Sequence, residues 1–321
     1  MSARPIRMLL SFLTVGGWTI ASRVLGFVRE ILIANFLGTG PVAEAFFVAF
    51  RLPNMFRRFF AEGAFNTAFV PQFAKTLEAD GEGEARKFAT EAMSGLFAVL
   101  MVFTLLAQLV MPWLVYGLAS GFADDGRFEM TVGFARILFP YILFISLAAL
   151  LSGVLNSFGR FAAAAAAPVL LNVILVAVML GAWALETEVG YALVWGAFAA
   201  GVAQLALVWW AARKVGMGIV PRRPRLTPRV RRLVVIGVPA VLAGGVLQIN
   251  LLVGTQVASY FDGAVGWLAY ADRIYQLPLG AVGVAIGIVL LPELSRRLRA
   301  DDLPGTRAAM NRAAEFTLAL T

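Results

Sequence analysis

The chain has 321 residues, of which 60% are hydrophobic and only 14% are charged, and its mean hydropathy is +0.81. This composition cannot be arranged around soluble cores, so it predicts a membrane protein. The chain contains no cysteine and no histidine. Their absence excludes disulfides, thiolate or imidazole nucleophiles, and the usual zinc, copper and haem ligands.

Eight apolar stretches are long enough to cross a bilayer, since a spanning helix needs about 20 mostly apolar residues. They lie near residues 8–37, 42–74, 92–118, 130–156, 165–185, 190–212, 233–261 and 264–294. A ninth begins at Ala313 and is unfinished at Thr321, so we interpret the chain as a truncated transporter. The first stretch carries Arg23, Arg29 and Glu30 and does not resemble a cleavable signal peptide.

The basic residues are distributed very unequally between the two sides of the membrane. With residues 1–7 in the cytoplasm, the connections on that side carry 19 Lys and Arg, and the opposite connections carry one, Arg127. This bias predicts a cytoplasmic N-terminus, and it explains most of the net charge of +8. Nucleic-acid binding is not expected, because no recognition motif accompanies the dispersed charges. The basic segment 222–232 either lies on anionic headgroups or is a plain loop.

Charged residues also fall in or next to the predicted spans. Each intramembrane charge costs at least about 2.5 kcal/mol, so such groups should face a polar cavity or a partner. Because most of them lie within residues 23–62, we expect the first two helices to line a polar cavity. The charged residues are Arg23, Arg29, Arg51, Arg57, Arg58, Arg136, Arg273, Glu30, Glu44, Glu62, Asp272 and Glu293.

All seven intramembrane cations are arginine, whose guanidinium stays charged when desolvated and binds phosphate oxygens in pairs. The sequence therefore indicates an anionic, phosphorylated substrate. Arg23 and Arg29 are about 600° apart around a helix and share no single stripe, so a bend near Gly26 would help to aim both inward. Asp272 and Arg273 either enter the same cavity or form an ion pair with another helix.

A weak internal repeat suggests two lobes. Leu-Pro pairs at 52–53 and 277–278 each precede a glycine-rich apolar stretch and a second proline. Six helices separate them, so the repeat would be parallel, and two lobes would move about a central cavity. We predict a first lobe with helices 1–6 in residues 1–212, a basic cytoplasmic loop in 213–232, and the start of a second lobe in 233–321.

Four segments resemble the MurJ/MviN family, the lipid II flippases of the multidrug/oligosaccharidyl-lipid/polysaccharide exporter superfamily. They are SRVLGFVRE at 22–30, EAFFVAFRLPNMFRRFFAEGAFNTAFVP at 44–71, LNSFGRF at 155–161 followed by APVLLN at 167–172, and YADRIYQLPLGAVGVAIGIVLLPEL at 270–294. The resemblance implies an all-α polytopic membrane protein, a two-lobed transporter bundle of which this chain supplies the first six-helix lobe and the start of the second.

The implied activity is transfer of the undecaprenyl-diphosphate-linked peptidoglycan precursor, lipid II, from the cytoplasmic to the periplasmic leaflet of the bacterial inner membrane. The expected partners are lipid II and membrane lipids, with no cofactor or metal, and the oligomeric state is open. The resemblance carries substrate-binding roles to Arg23, Arg29, Glu44, Arg57, Glu62, Asp272 and Arg273. Glu44 and Gln276 depart from the family pattern, which favours Asp at 44 and often an acid at 276.

Three further functions compete with this interpretation, and one of them is a scaffold role, which predicts that the cavity arginines can be replaced without phenotype. A related transporter would move another lipid-linked oligosaccharide or exchange a small molecule, and a drug exporter would favour acids and aromatics over arginine in its cavity. A membrane enzyme acting on polyprenyl phosphates is not expected, because the chain has no histidine and no acidic cluster in a cytoplasmic loop suited to Mg²⁺.

Overall fold

The computed structural model describes residues 3–57, 64–276, 294, 297 and 302–320, and these residues contain helices and connections but no β-strand. The helices are α1 (Ala3–Leu37), α2 (Pro41–Arg57), α3 (Ala64–Leu109), α4 (Met111–Leu118), α5 (Gly126–Leu138), α6 (Tyr141–Ser157), α7 (Ala162–Ala184), α8 (Val189–Lys214), α9 (Pro228–Ala258), α10 (helical residues 264–276) and α11 (Leu303–Leu320). A short 3₁₀ turn, Ser120–Phe122, precedes α5.

Four segments of the described residues are long and apolar enough to cross a membrane: Ala68–Leu109, Gly126–Ser157, Ala162–Ala184 and Val189–Lys214. They overlap the predicted spans three to six, and the prediction of an all-α multi-pass membrane protein is confirmed. Large apolar side chains remain exposed on these helices, including Leu109, which is 76% exposed, and Trp183, which is 66% exposed. In a membrane such side chains face lipid and need no protein partner.

Prolines explain where two of the predicted spans are divided. The third span is α3 followed by α4, and the break at Val110 lies two residues before Pro112. The fourth span is α5 followed by α6, with Pro140 at the junction. A proline cannot donate the helical hydrogen bond of its own position, so a new helix begins there readily. Pro53 and Pro168 instead lie inside helices.

The long helix α3 folds back on itself at Gly81. Gly81 has φ 81° and ψ 178°, a backbone conformation open essentially to glycine alone. The buried rings of Phe69 and Phe88, on either side of it, stack with their centroids 5.5 Å apart. A straight helix would separate these two residues by about 28 Å. The second half of predicted span two and the first half of span three therefore form an antiparallel pair.

A buried polar network joins α6, α7 and α8. The hydroxyl of Tyr141 donates to Oε1 of Gln204 at 3.2 Å, and Nε2 of Gln204 donates to the carbonyl oxygen of Ala167 at 2.7 Å. Tyr141 and Gln204 are almost fully buried. Buried polar groups must be satisfied internally in a membrane protein, so this network fixes the register of three helices.

The contacts divide the chain into two units, Met1–Gly266 and Trp267–Thr321. The first unit contains α1–α9, and α9 packs on α3 within it. The second unit contains α11, which begins at Leu303 and so starts before the predicted ninth span at Ala313. The Leu-Pro pair at 277–278 and the glycine-rich stretch after it lie outside the described residues.

Candidate functional site

Arg29 is anchored between α1 and α7. Its guanidinium forms an ion pair with Glu30 and donates to Oδ1 of Asn172 at 2.7 Å. Asn172 in turn donates to the backbone carbonyl of Ser22 at 2.9 Å. A Cβ atom at Gly26 would lie 3.5 Å from Nδ2 of Asn172, an ordinary van der Waals distance, so α1 and α7 are in close contact at this position. The predicted α1 arginine is therefore held by an amide from the fifth predicted span.

This anchor lies within the protein interior. The side chains of Arg29 and Glu30 are only 12% and 13% exposed, and Nε of Arg29 is buried without a hydrogen-bond partner among the described residues. A buried donor without a partner is costly. The guanidinium thus keeps one unused donor while its charge is balanced by the neighbouring carboxylate.

Arg23 occupies a different environment on the same helix. It is exposed and lines a cavity of about 420 Å³ together with Thr19 and Ser22 of α1, Asn156 of α6 and Pro168 of α7. The lining of the cavity combines hydroxyl, amide and guanidinium groups with apolar residues. Such a lining suits a polar anion attached to an apolar chain.

Glu44 is enclosed in a cluster of charges at the start of α2 and α5. Its Oε2 accepts from Arg127 at 2.8 Å and its Oε1 accepts from the backbone N–H of Val265 at 3.2 Å. Arg127 also contacts Asp125 at 2.6 Å and Asp262 at 3.2 Å. We name Glu44, Asp125, Arg127 and Asp262 the Arg127 cluster. The carboxylate of Glu44 is 2% exposed, and Glu44 does not line the cavity that contains Arg23.

The Arg127 cluster also organises the beginning of α5. Asp125 is the N-cap residue, and its Oδ1 accepts from the backbone N–H of Arg127 at 2.8 Å. The hydrogen bonds from the Arg127 side chain hold the pKa of Asp125 below its ordinary value, because they stabilise the ionised carboxylate. The guanidinium additionally lies over the ring of Phe122, 4.4 Å from its centroid.

The arginines of α2 contact neutral polar groups of the described residues. Nε of Arg57 donates to Oδ1 of Asn54 at 3.3 Å within the same helix, and Arg57 is half-buried. Arg51 donates to the hydroxyl of Thr255 and, at 3.4 Å, to the carbonyl of Leu251. Arg51 therefore joins α2 to α9, a role that its sequence position did not predict.

The remaining predicted site residues fall in the second unit or outside the described residues. Asp272 and Arg273 are exposed neighbours on α10, in the second unit. Glu62 lies outside the described residues, as do Arg58 and Glu293. Within the first unit, Arg23 and Arg29 both lie beside α7, whereas Glu44 lies in the Arg127 cluster.

Two site residues were missed by the sequence reasoning. Arg127 is the one basic residue among the connections assigned to the periplasmic side, where several acidic residues surround it in the sequence. This pattern could have predicted that Arg127 forms ion pairs with acidic residues. Asn172 ends the APVLLN segment inside an apolar span, where an amide needs a partner. Burying either polar side chain costs free energy, and a hydrogen bond or ion pair with a specific neighbour offsets that cost.

The family model described as "Lipid II flippase MurJ" matches residues 33–321 of the chain. The chain belongs to this family. Among MurJ relatives, the probable lipid II flippase MurJ of Rhizobium meliloti (strain 1021) is 56% identical over 315 residues, which cover 97% of this chain and 59% of the relative. The lipid II flippase MurJ of Burkholderia cenocepacia is 43% identical over 294 residues, covering 89% and 57%. The chain thus spans less than two thirds of these relatives.

Solved transporters share the fold. A lipid II flippase MurJ in an inward closed conformation matches with a TM-score of 0.73 at 23% identity, covering 93% of this chain and 61% of that one. An outward-facing MATE family multidrug transporter of the MOP superfamily matches with a TM-score of 0.63 at 15% identity, covering 97% and 69%. At these identities the likeness shows a common transporter bundle and nothing about substrate.

Proposed function

We propose that the protein containing this chain is a lipid II flippase, which moves the undecaprenyl-diphosphate-linked peptidoglycan precursor from the cytoplasmic to the periplasmic leaflet. The observation that carries the proposal is the match of residues 33–321 to the lipid II flippase family. The relatives that bear this name extend beyond the chain. The proposal therefore concerns the whole protein, as a non-enzymatic transporter of the inner membrane that works by alternating access.

Arg23 and Arg29 are the groups in the first unit that fit a diphosphate best. Arginine keeps its charge when desolvated and presents paired donors to phosphate oxygens. Arg23 lines the 420 Å³ cavity, which has room for a diphosphate and part of a lipid chain but not for a complete sugar-peptide headgroup. We infer that Arg23 makes the first contact with the diphosphate and that Arg29 lies deeper, behind it.

The rest of the binding set is proposed on the family resemblance. Arg57 and Arg273 would hold the diphosphate or the adjoining headgroup, and Glu62 and Asp272 would balance their charge when the substrate is absent. Glu44 joins this set only in a conformation in which Arg127 releases it, because its carboxylate is otherwise enclosed. In this proposal the cavity lies between the predicted lobes, and the lobes expose it to one leaflet at a time.

A transporter of another lipid-linked oligosaccharide, or a small-molecule antiporter of the same superfamily, is the competing function. The likeness to a MATE family transporter, with a TM-score of 0.63, shows the shared fold and does not separate these functions. Both alternatives use the same bundle, so only the substrate contacts separate them. The arginines beside α7 favour a phosphorylated lipid over a cationic drug.

Genetic complementation tests the proposed function. The resident lipid II flippase of a bacterial host is depleted, and the complete gene is supplied as wild type, Arg23→Ala or Arg136→Ala at matched membrane levels. Arg136 is an exposed arginine of α5 that lines neither of the described cavities, so its variant is the control for loss of one positive charge. Growth and accumulation of the lipid-linked precursor are measured together.

We expect wild type and Arg136→Ala to restore growth, whereas Arg23→Ala leaves the precursor in the cytoplasmic leaflet. Loss of a charge-assisted contact to phosphate weakens binding by about 10- to 100-fold. A wild-type protein that reaches the membrane but does not restore growth contradicts the substrate assignment. Full rescue by Arg23→Ala contradicts the role of Arg23 and leaves the flippase assignment standing.

A further inference from the structure

A second cavity opens in the first unit beside the one that Arg23 lines. It has a volume of about 610 Å³ and lies between α1, the connection from α6 to α7, and the end of α8. The two cavities share Phe161, but Arg23 belongs only to the smaller one. The function proposed above assigns nothing to the larger cavity.

Two cations and two tryptophans line this larger cavity. Arg160 follows the end of α6, and Lys214 is the last residue of α8; both are exposed. Trp18 is 38% exposed and Trp210 is 55% exposed. Nζ of Lys214 lies 3.3 Å from the centroid of the Trp210 ring, which holds the ammonium at the mouth of the cavity. The remainder of the lining is mostly alanine, leucine and valine.

The position of these groups matches the boundary between lipid and water. Arg160 and the end of α8 belong to the connections that the charge distribution places on the cytoplasmic side. Tryptophan is enriched at the level of the headgroups, where one part of its ring system meets lipid and its N–H meets water. The cavity therefore joins an apolar wall at acyl-chain depth to two positive charges at headgroup depth.

The size of the cavity selects among phosphorylated lipids. A volume of 610 Å³ is that of a site for a small molecule, which suits a phosphoglycerol headgroup and the upper parts of its acyl chains. A lipid-linked saccharide with a peptide is far larger. Charge complementarity and volume together point to an ordinary anionic phospholipid.

We propose that the cavity lined by Arg160, Lys214, Trp18 and Trp210 binds an anionic glycerophospholipid of the cytoplasmic leaflet, with its phosphate between the two cations. This site is separate from the Arg23 cavity. It does not depend on the identity of the transported substrate.

Fluorescence quenching by brominated lipid tests the proposal directly at Trp210. The complete protein is reconstituted in phosphatidylcholine vesicles that contain increasing fractions of brominated phosphatidylglycerol. The signal of Trp210 is the difference between the wild type and Trp210→Phe. We expect saturable quenching, and we expect Arg160→Gln/Lys214→Gln to raise the half-saturating fraction about 30-fold, from about fivefold for each cation.

The double variant Arg223→Gln/Arg225→Gln is the matched control, because it removes two exposed cations from the basic segment 222–232. We expect its quenching curve, and that of Arg23→Ala, to follow the wild type. If the double variant of the cavity misfolds, Lys214→Gln alone should shift the curve about fivefold.

Three results would overturn the proposal. Equal quenching by brominated phosphatidylcholine would show lipid contact without recognition of charge. The same shift in Arg223→Gln/Arg225→Gln would show attraction to the surface as a whole. The same shift in Arg23→Ala would show that both cavities form one substrate site. None of these results bears on whether the complete gene restores growth, so the two proposals fail independently.

Discussion

Arg127 binds three carboxylates that come from three separate parts of the chain. Glu44 belongs to α2, Asp125 caps α5, and Asp262 lies in the connection between α9 and α10. The side chains differ strongly in exposure: Glu44 is 2% exposed and Asp262 is 98% exposed. An ion pair contributes little in water, whereas removing one partner of a buried pair leaves an uncompensated charge. The contribution of each carboxylate should follow its burial.

We therefore expect Arg127→Ala to lower the free energy of unfolding by about 3–5 kcal/mol, because Glu44 would keep only the N–H of Val265 as a side-chain partner among the described residues. Asp262→Ala, which removes an exposed contact to the same guanidinium, should cost less than about 1 kcal/mol. Reversible unfolding in mixed micelles measures both. Equal losses in the two variants would mean that burial of Glu44 does not determine the stability of the cluster.

At the scale of single residues, sequence could identify charges but not their partners. The cost of placing Glu44 and Arg29 in the membrane predicted that each has a counter-group. The identity of that group depends on which helices are neighbours and on their register. Arg29 meets Asn172, 143 positions away, and Glu44 meets Arg127, 83 positions away. Helical periodicity orders residues around one helix and carries no information about such distances.

The helices themselves were more predictable than their contacts. Long apolar runs identified the spanning segments of α7 and α8 because each run is continuous over a full span. The reversal at Gly81 falls in the connection that spans two and three predict, but the sequence did not predict that helix would continue on both sides of a single glycine. The stacked rings of Phe69 and Phe88 show that the two helical parts lie side by side.

Glycines of α8 set how closely its neighbours approach. A Cβ atom at Gly190 would lie 2.5 Å from Val42, at Gly196 2.6 Å from Val178, and at Gly201 2.7 Å from the ring of Tyr141. Small residues at helix interfaces let membrane helices pack at short range. The ring of Tyr141 also has little freedom to move, because its hydroxyl is bound to Gln204.

A comparison of two alanine variants tests this packing. Gly133→Ala on α5, where nothing lies within 4 Å of the added Cβ atom, should be neutral or should gain up to about 1 kcal/mol from helix propensity. Gly201→Ala should instead lose about 1–3 kcal/mol through overpacking against Tyr141. Unfolding of the purified protein in mixed micelles measures the difference. A stabilised Gly201→Ala variant would contradict the close packing of α6 and α8.

For the whole molecule, composition alone was sufficient to predict the class. A charged fraction of 14% leaves too little polar surface for a soluble protein of this length, and the four spanning segments confirm that prediction. The orientation rests on the distribution of Lys and Arg between connections. The orientation stays a prediction, because the helices would be arranged in the same way with either end of the bundle on the cytoplasmic side.

Labelling of introduced cysteines tests the orientation. The chain contains no cysteine of its own, so Glu188→Cys and Arg223→Cys each introduce a single thiol into it. Both positions are exposed, one between α7 and α8 and the other between α8 and α9. In spheroplasts, a maleimide that cannot cross membranes should modify Glu188→Cys directly and Arg223→Cys only after lysis. The reverse pattern would place the N-terminus in the periplasm.

The reversal at Gly81 has a mechanical consequence for any movement of the molecule. Its two halves are joined by a single residue and clamped by the stacked rings of Phe69 and Phe88. No flexible loop separates the two halves, so a displacement of residues 64–80 along their axis also moves residues 82–109. The segment 215–227 connects α8 to α9 without a regular helix and is bound to the same hairpin, because the backbone N–H of Arg222 donates to Ser94 and the hydroxyl of Thr227 donates to Glu91. A movement of the hairpin would therefore also move the connection that leads into α9.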